Sequence, residues 1–589
     1  MKRPILIALI GYIIGIIWEL YLKINIAPLV ITLIMICILD KKYKKVITIV
    51  VISIIIGNIQ TKYLNNKFKK LYSEIPSNSQ FIGVVISDKK EGNYYNTYTI
   101  KILEINKSNK YRNTKLYIRT TKELSYGKKI KFNATYIKAD IRRNYLGFDY
   151  SEYLKTIGIY GICENVNINE VSKTQALNKI DIITHKITVS IKEKVRSILD
   201  EDKAGLLIAL TTGDNSLIDE EIKESFRNSG LYHILAISGM HMAYIILFLE
   251  KTTNKIDINK NRKKVFQIVG IIFFIQITTK SISILRAGIM AIIAIFATIV
   301  RRKSDSINNI SISMLILLII NPYSIKNISF QLSFGGVIGI VLLNKYYQRL
   351  LDKFKIYKSI KEILSTILSA QTIIIPIIIL NFHTISLTFF ISNLLVGYII
   401  GIVIILGFLI IGISFISLDF AKFISLPLDI SIKILISMTD FCSKLPLSKI
   451  YVTRPPIYII LIYYILILKL TIFKDMYNNE IKKIFKFLKK KEIYILVISA
   501  ITIFTYTMIP KNLKIYFIDV GQGDSTLIIT PQNKKILIDS GGNSNKNNYD
   551  IGEDTLLPYL LNRGIKRLDY VIVSHFDTDH VRRTTINNG

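Results

Sequence analysis

The segment Ser574-His575-Phe576-Asp577-Thr578-Asp579-His580 follows an apolar stretch and places two imidazoles and two carboxylates within six positions. Nitrogen and oxygen donors at that density suit one or two divalent ions and the activation of a bound water. His575, Asp577, Asp579 and His580 are therefore candidate metal ligands, with Asp579 and His580 also the candidate catalytic pair. A solvated polar loop is the plain alternative, but four donors converging at the C-terminal end of a strand favour the metal. Asp519 and Asp524 in FIDVGQGDS and Asp539 in LIDSGG also follow short apolar stretches. They are candidates for the rim of the same site, although carboxylates beside glycines equally serve turns.

A second group of polar residues stands inside strongly apolar sequence, where burial is expensive and a use is expected. His233 and His241 are eight residues apart and on one helix would face the same side. Ser238 with His241 also suggests a nucleophile pair, but no orienting Asp or oxyanion motif accompanies it. Arg286 follows Leu285 at the start of an apolar run and is placed either to snorkel toward headgroups or to contact a phosphate. Gln331 and Ser333 suit a polar path or helix–helix hydrogen bonds.

A third group mixes aromatic and basic residues. Tyr94, Tyr95, Tyr98, Tyr117 and Tyr136 interleave with Lys101, Lys115, Arg119, Lys129 and Lys131. Aromatic faces stack bases and cations neutralise phosphates, so Tyr98, Lys101, Tyr117, Arg119 and Lys131 are candidate contacts to single-stranded DNA. Tyrosine is common on any half-buried strand, which weakens that inference.

The elements that must position these residues are largely apolar. Of 589 residues, 50% are hydrophobic, and the mean hydropathy is +0.39, too high for a soluble chain of this length. Lys and Arg (77) exceed Asp and Glu (42), giving a net charge of +35. That excludes an acidic disordered chain and suits anionic partners, though membrane proteins also gather cations in cytoplasmic loops. Three distant cysteines, Cys37, Cys163 and Cys442, supply neither a disulfide framework nor a thiolate metal site. Apolar runs over 5–20, 24–39 and 46–60 predict three N-terminal helices, and together with the runs between 231 and 509 they make about a dozen spans by the ~20-residue rule.

Four regions result. Residues 1–60 are expected to be transmembrane helices. Residues 61–178 hold no spanning run and alternate with period two, as in Ile130, Phe132, Ala134 and Tyr136, which predicts a small antiparallel β domain. Residues 179–509 begin with a basic amphipathic helix, Ile187, Ile191, Val195 and Leu199 forming its apolar stripe, expected to lie on the bilayer surface before the main spans. Residues 510–589 change to short strands with a helix near Thr555 to Asn562, an α/β layered pattern. They are fewer than the ~100 to 150 of a usual domain, so this domain is expected to be cut short. Basic loops at 41–45, 251–264, 301–303, 345–358 and 482–491 read as cytoplasmic, which puts both soluble domains outside.

IDVGQGDS, LIDSGG and SHFDTDH resemble the opening part of a metallo-β-lactamase-fold hydrolase. GLYHILAISGMH at 230–241, SILRAGIMA at 283–291 and SFQLSFGGVIGI at 329–340 resemble the ComEC family of DNA-internalisation competence proteins, as does LGFDYSEYLKTIGI at 146–159. The resemblance implies a polytopic inner-membrane channel passing single-stranded DNA in a transformable bacterium, alongside other DNA-uptake machinery. It also implies an oligonucleotide-binding (OB-type) β domain, and a C-terminal domain using Mn or Zn on the non-transported strand. It makes His233, Ser238, His241, Arg286, Gln331 and Ser333 channel or gate residues. The family's metal motif continues HIGG, whereas here Val581, Arg582 and Arg583 follow His580. Four residues on one loop hold at most an open ion, so cleavage by residues 1–589 alone is not expected. Two other readings remain: a membrane-anchored metal-dependent hydrolase of another external substrate, and a non-functional remnant. A mere anchor has no use for His241, Arg286 and Gln331 inside its spans.

Overall fold

A computed structural model describes residues 3–39, 44–92, 94–255, 257–355, 357–471, 512–521, 523–541 and 550–574. The chain forms two units, one of Met1–Ile141, Tyr150–Val341 and Ser386–Lys449, the other of Arg142–Asp149, Leu342–Ile385 and Ile450–Gly589.

The first unit opens with α1 (Pro4–Ile17, continued by a π turn Trp18–Leu22), α2 (Ala27–Leu39) and α3 (Lys44–Glu74). A Cβ on Gly15 would stand 2.2 Å from the Ile54 carbonyl oxygen, and one on Gly57 would stand 2.4 Å from that of Tyr12. Small residues on facing sides thus let α1 and α3 pack backbone against backbone. α3 does not stop near residue 60, where the composition changes. Its last turns carry Phe68, stacked on Tyr160 with ring centroids 4.2 Å apart, and Leu71, buried in the core of the β domain. Leu64, Phe68, Leu71 and Tyr72, at i, i+4, i+7 and i+8, form an apolar helical stripe in this otherwise polar sequence, and its burial carries the helix on.

The β domain is a closed five-stranded barrel of β1 (Asn78–Val85), β2 (Asn96–Ile105), β3 (Lys115–Thr120), β4 (Lys128–Ile137) and, after α4 (Tyr150–Thr156), β5 (Ile159–Gln175). The strand order is β1-β2-β3-β5-β4, and β1 pairs with both β2 and β4, so no strand edge is left open. Pairing is antiparallel except between β3 and β5, which run parallel, a departure from the all-antiparallel expectation. Alternation builds the interior: Tyr98, Ile100 and Ile102 of β2 and Ile130, Phe132, Ala134 and Tyr136 of β4 all point inward. β1 bulges between Ile82 and Gly83, where any Cβ would meet Ile100 at 2.4 Å. Glycine there lets the strand bend into closure.

The helical body follows: α5 (Lys179–Ile198), α6 (Glu201–Thr212), α7 (Glu220–Asn228), α8 (Tyr232–Leu235), α9 (Gly239–Asn254), α10 (Lys260–Ile277), α11 (Ile282–Ile299), α12 (Ser306–Ile320) and α13 (Ile328–Leu351). Every residue of α6 from Ala204 to Thr212 is buried, as a helix enclosed on all sides requires. One of its covers is α5, and this corrects the expectation for that helix. Ile191, Val195 and Leu199 join the protein core around α6 instead of facing lipid. At the other end of α5, His185 Nε2 lies 2.6 Å from Asp88 Oδ1 and its ring stacks on Tyr126. The His185 hydrogen bond, ahead of the charge of Lys192, holds the Asp88 carboxyl below the usual carboxylate range.

In the second unit α14 (Lys358–Phe382) contains Pro376, which has no N–H for the Thr372 carbonyl. The Tyr463 hydroxyl donates to that carbonyl at 2.7 Å, and Tyr464 donates to Ile373 at 2.9 Å, which keeps a prolyl helix satisfied inside a bilayer. A short ribbon pairs β6 (Thr384–Ile385) with β7 (Ile450–Tyr451). The C-terminal region is a four-stranded sheet in the order β11-β10-β9-β8, from β8 (Lys514–Phe517), β9 (Thr526–Ile529), β10 (Lys535–Ile538) and β11 (Tyr570–Ile572). One face packs Leu527 and Leu537 against the helix Leu557–Asn562. Ile515 and Phe517 of β8 and Ile572 of β11 are exposed.

Six helices among the described residues are long and apolar enough to cross a bilayer: Pro4–Leu22, Lys44–Glu74, Ile282–Ile299, Ile328–Leu351, Lys358–Phe382 and Phe389–Ser414. About a dozen spans are expected from the sequence by the ~20-residue rule. The difference lies in helices such as α12, apolar but shorter, and α10, which opens on Lys260, Arg262, Lys263 and Lys264. The run at 493–509 falls outside the described residues.

Candidate functional site

The segment carrying His233 and His241 is not one helix. α8 ends at Leu235, Ala236 and Ile237 run on without helical structure, and α9 starts at Gly239 with Ser238 as its N-cap. The Ser238 hydroxyl accepts from Met240 N at 3.3 Å, while His241 Nδ1 accepts from Ser238 N at 3.1 Å. This is a capping box with histidine in the place usually held by Glu or Gln. The two histidines therefore part company. His233 is exposed, its Nδ1 3.2 Å from the Gly230 carbonyl oxygen, whereas His241 is 0% exposed. Because Nδ1 accepts, a neutral His241 carries its proton on Nε2, and that buried atom has no hydrogen-bond partner.

Arg286, near the start of α11, is only 6% exposed, so it does not snorkel. Its Nη1 donates to the Ser333 carbonyl oxygen of α13 at 2.7 Å, and its guanidinium lies 5.9 Å from the Phe334 ring centre. Nη2 is 3.4 Å from where a Cβ on Gly239 would stand. Ser238, His241, Arg286 and Ser333 are thus brought to the first turn of α9. Gln331 instead donates to the nearby Ile325 carbonyl at 2.9 Å.

In the barrel, burial overturns two candidate DNA contacts. Tyr98 is 1% exposed, and its hydroxyl accepts from Leu124 N at 3.1 Å. Tyr117 is 9% exposed, and burial pushes its hydroxyl pKa above the usual range. Neither ring is open to a base: Tyr98 points into the barrel, while Tyr117, on the face of β3 opposite Leu116 and Ile118, is covered by Leu154 of α4 together with Ala139 and Ile159. Lys101, Arg119 and Lys131 stay half-exposed on the outer side, Arg119 paired with Glu164 and Lys131 3.8 Å from Glu170. The exposed aromatics are Tyr94 and Tyr95, between β1 and β2.

In the C-terminal region Asp539, immediately after β10, is 6% exposed and adopts a left-handed φ of 53°. Its Oδ1 accepts from Ser574 N at 2.8 Å, beyond β11. The ends of two parallel strands thereby bring this carboxylate beside the residue that precedes His575, a geometry that suits a ligand position. The expected ligands His575, Asp577, Asp579 and His580 lie outside the described residues. Among the described residues no group of three or more His, Cys, Asp or Glu side chains converges as a metal site. Asp519 closes a turn by accepting from Gly521 N at 3.0 Å, and Asp524 is exposed on the same loop.

Asp519 has a further partner that sequence reasoning did not single out. Asn144 accepts from Asp519 N at 3.0 Å and donates to Asp519 O at 2.7 Å, pairing with its backbone as a neighbouring strand would. Arg563 sits over the rings of Tyr516, Tyr145 and Tyr559 at 3.7, 4.6 and 4.9 Å. The segment Arg142–Asp149 thus packs on the C-terminal sheet although it stands between β4 and α4 in sequence. Its one advance signal is the aromatic run that carries the LGFDY resemblance.

The family model described as Competence protein matches residues 210–476, which contain α8, α9, α11 and α13. Over that region the chain is similar to the competence-protein family. It is a multi-pass helical membrane protein. A second model, Metallo-beta-lactamase superfamily, matches residues 518–583, and that superfamily in general uses divalent metals. ComE operon protein 3 of Bacillus subtilis is 25% identical, the match covering 74% of this chain and 56% of the relative. Recombination protein 2 of Haemophilus influenzae is 23% identical, with 74% of this chain and 58% of the relative covered. The chain therefore spans somewhat more than half the length of these competence-family relatives. No solved structure matches it.

Proposed function

We propose that this competence-family chain forms an inner-membrane channel for single-stranded DNA during natural transformation. The observation that carries this reading is the broken helix at Ile237, with Ser238 and the buried His241 and Arg286 gathered at the new helix start. An interrupted helix with polar groups at membrane depth suits a transport path and is costly in an inert anchor. The five-stranded barrel, with its parallel β3–β5 pair, supports an OB-like reading of residues 78–175, and the basic outer face with Tyr94 and Tyr95 suits sequence-indifferent strand binding. Position of the Asp539 carboxylate beside Ser574 supports a metal-dependent hydrolase role for the C-terminal domain, with Mn or Zn as the ion. Other DNA-uptake proteins would be its partners.

Binding of a labelled oligonucleotide to the purified chain tests the barrel. With roughly four phosphates contacted, affinity is expected to fall about 50-fold between ~50 and ~200 mM salt. Salt-insensitive binding, or none, would rule that surface out.

The positions of the basic loops support an orientation with both soluble domains on the outer side of the membrane. Reporter fusions at Asn109 and Asn545 are expected to be active as external, and those at Asn259 and Asn479 as cytoplasmic. An intracellular signal at Asn545 would reverse the orientation and remove the external hydrolase with it.

A further inference from the structure

Arg286 is a cation in the wrong place unless something negative joins it. It is 94% enclosed by protein on the arithmetic of its 6% exposure, donates once, to a neutral carbonyl, and its Nε has no hydrogen-bond partner. No carboxylate forms an ion pair with it among the described residues. Its Nη2 abuts Gly239, the first residue of the 16-residue helix α9. Helix starts carry partial positive charge, which the neutral Ser238 cap of α9 does not cancel. Two positive ends thus lie side by side, an arrangement that is unfavourable alone and favourable around an anion.

We propose that Arg286 and the first turn of α9 bind a phosphate group. Nη2, at the Gly239 end of a planar guanidinium, meets one oxygen of a tetrahedral phosphate, and the positive end of α9 faces another. Gly239 leaves room, since beyond its own helix and chain neighbours the described residues bring only Arg286 Nη2, at 3.4 Å, within 4 Å of its Cβ position. The buried Nε2–H of His241, two residues further along the same turn, is a further unpartnered donor. The phosphate is a phosphodiester, either of a transported strand or of an anionic lipid. The first source rests on the channel reading, whereas the site itself does not.

The test uses the whole chain in phosphatidylcholine nanodiscs, as wild type, Arg286→Lys and Arg286→Gln, followed by thermal unfolding at constant ionic strength. Inorganic phosphate near ten times its dissociation constant is expected to raise the wild-type unfolding temperature by about 2 °C, with less gain in Arg286→Lys and none in Arg286→Gln. If a strand is the source, a phosphodiester oligonucleotide gives the same Arg286-dependent gain and its uncharged methylphosphonate analogue does not. If lipid is the source, phosphatidylglycerol gives the gain without any oligonucleotide, which keeps the site and removes the strand from it. Should Arg286→Gln fail to fold, Gly239→Val fills the space while leaving the cation, and is expected to lose the gain as well. Equal gains in wild type and in the folded variants with every probe would overturn the proposal.

Discussion

Replacing His241 with alanine is expected to lower transformation frequency at least about 100-fold, the equivalent of losing roughly 3 kcal/mol at the limiting step, in a host that depends on this protein. The amount of protein in the membrane should stay within about two-fold, because losing one helix cap costs only ~1 kcal/mol. The two roles of the imidazole can be separated. Asparagine has an acceptor where Nδ1 now takes the Ser238 N–H, but nothing that reaches the place of Nε2. His241→Asn should therefore restore the start of α9 and remain defective in uptake. Wild-type uptake by His241→Asn would reduce His241 to a capping residue, and wild-type uptake by His241→Ala would remove the segment from the transport path.

Tyr98→Ala is expected to destabilise the barrel by about 3–5 kcal/mol, a large share of what a domain of this size has. The ring is enclosed among Ile100, Ile102, Phe81 and Phe132 in one cluster, and its hydroxyl satisfies Leu124 N. Truncation leaves both a cavity and an unpaired buried donor. Tyr94→Ala and Tyr95→Ala, at exposed positions, should change stability by no more than ~0.5 kcal/mol, yet weaken oligonucleotide binding. Denaturant-dependent proteolysis of the barrel compares all three. A Tyr98→Ala barrel as resistant as wild type would contradict the burial argument.

The barrel and the helical body differ in how much of them the sequence announces. Period-two alternation in β2 and β4 is enough to require strands with one buried face, and the inward set Ile130, Phe132, Ala134, Tyr136 is the one alternation picks out. It does not say which face a tyrosine takes, since the ring is apolar and its hydroxyl polar, and either side accepts it. Only the closure of β1 onto β4 turns Tyr98 inward, only the packing of α4 covers Tyr117, and Tyr94 and Tyr95 are left outside. In the same way the stripe Ile191, Val195, Leu199 demands an apolar cover without distinguishing lipid from protein. The packing of α6 decides for protein.

For the candidate site, residue types and their spacing singled out Ser238, His241, Arg286 and Asp539, because a polar group in apolar sequence or at a strand end is costly and therefore conspicuous. Their relations are nonlocal. Whether His233 and His241 share a helix depends on the break at Ile237, which no proline announces: Ser238 and His241 cap a new helix there by hydrogen bonds that compete with continuing the old one. That Arg286 is enclosed and not at the headgroups depends on α13 offering the Ser333 carbonyl, 47 residues away in sequence. The contact of Asn144 with Asp519 spans 375 residues. Local pattern thus determined which side chains could do chemistry and which elements carry them, whereas chain closure and helix packing, set by burial and the satisfaction of backbone groups across long separations, decided which of them meet.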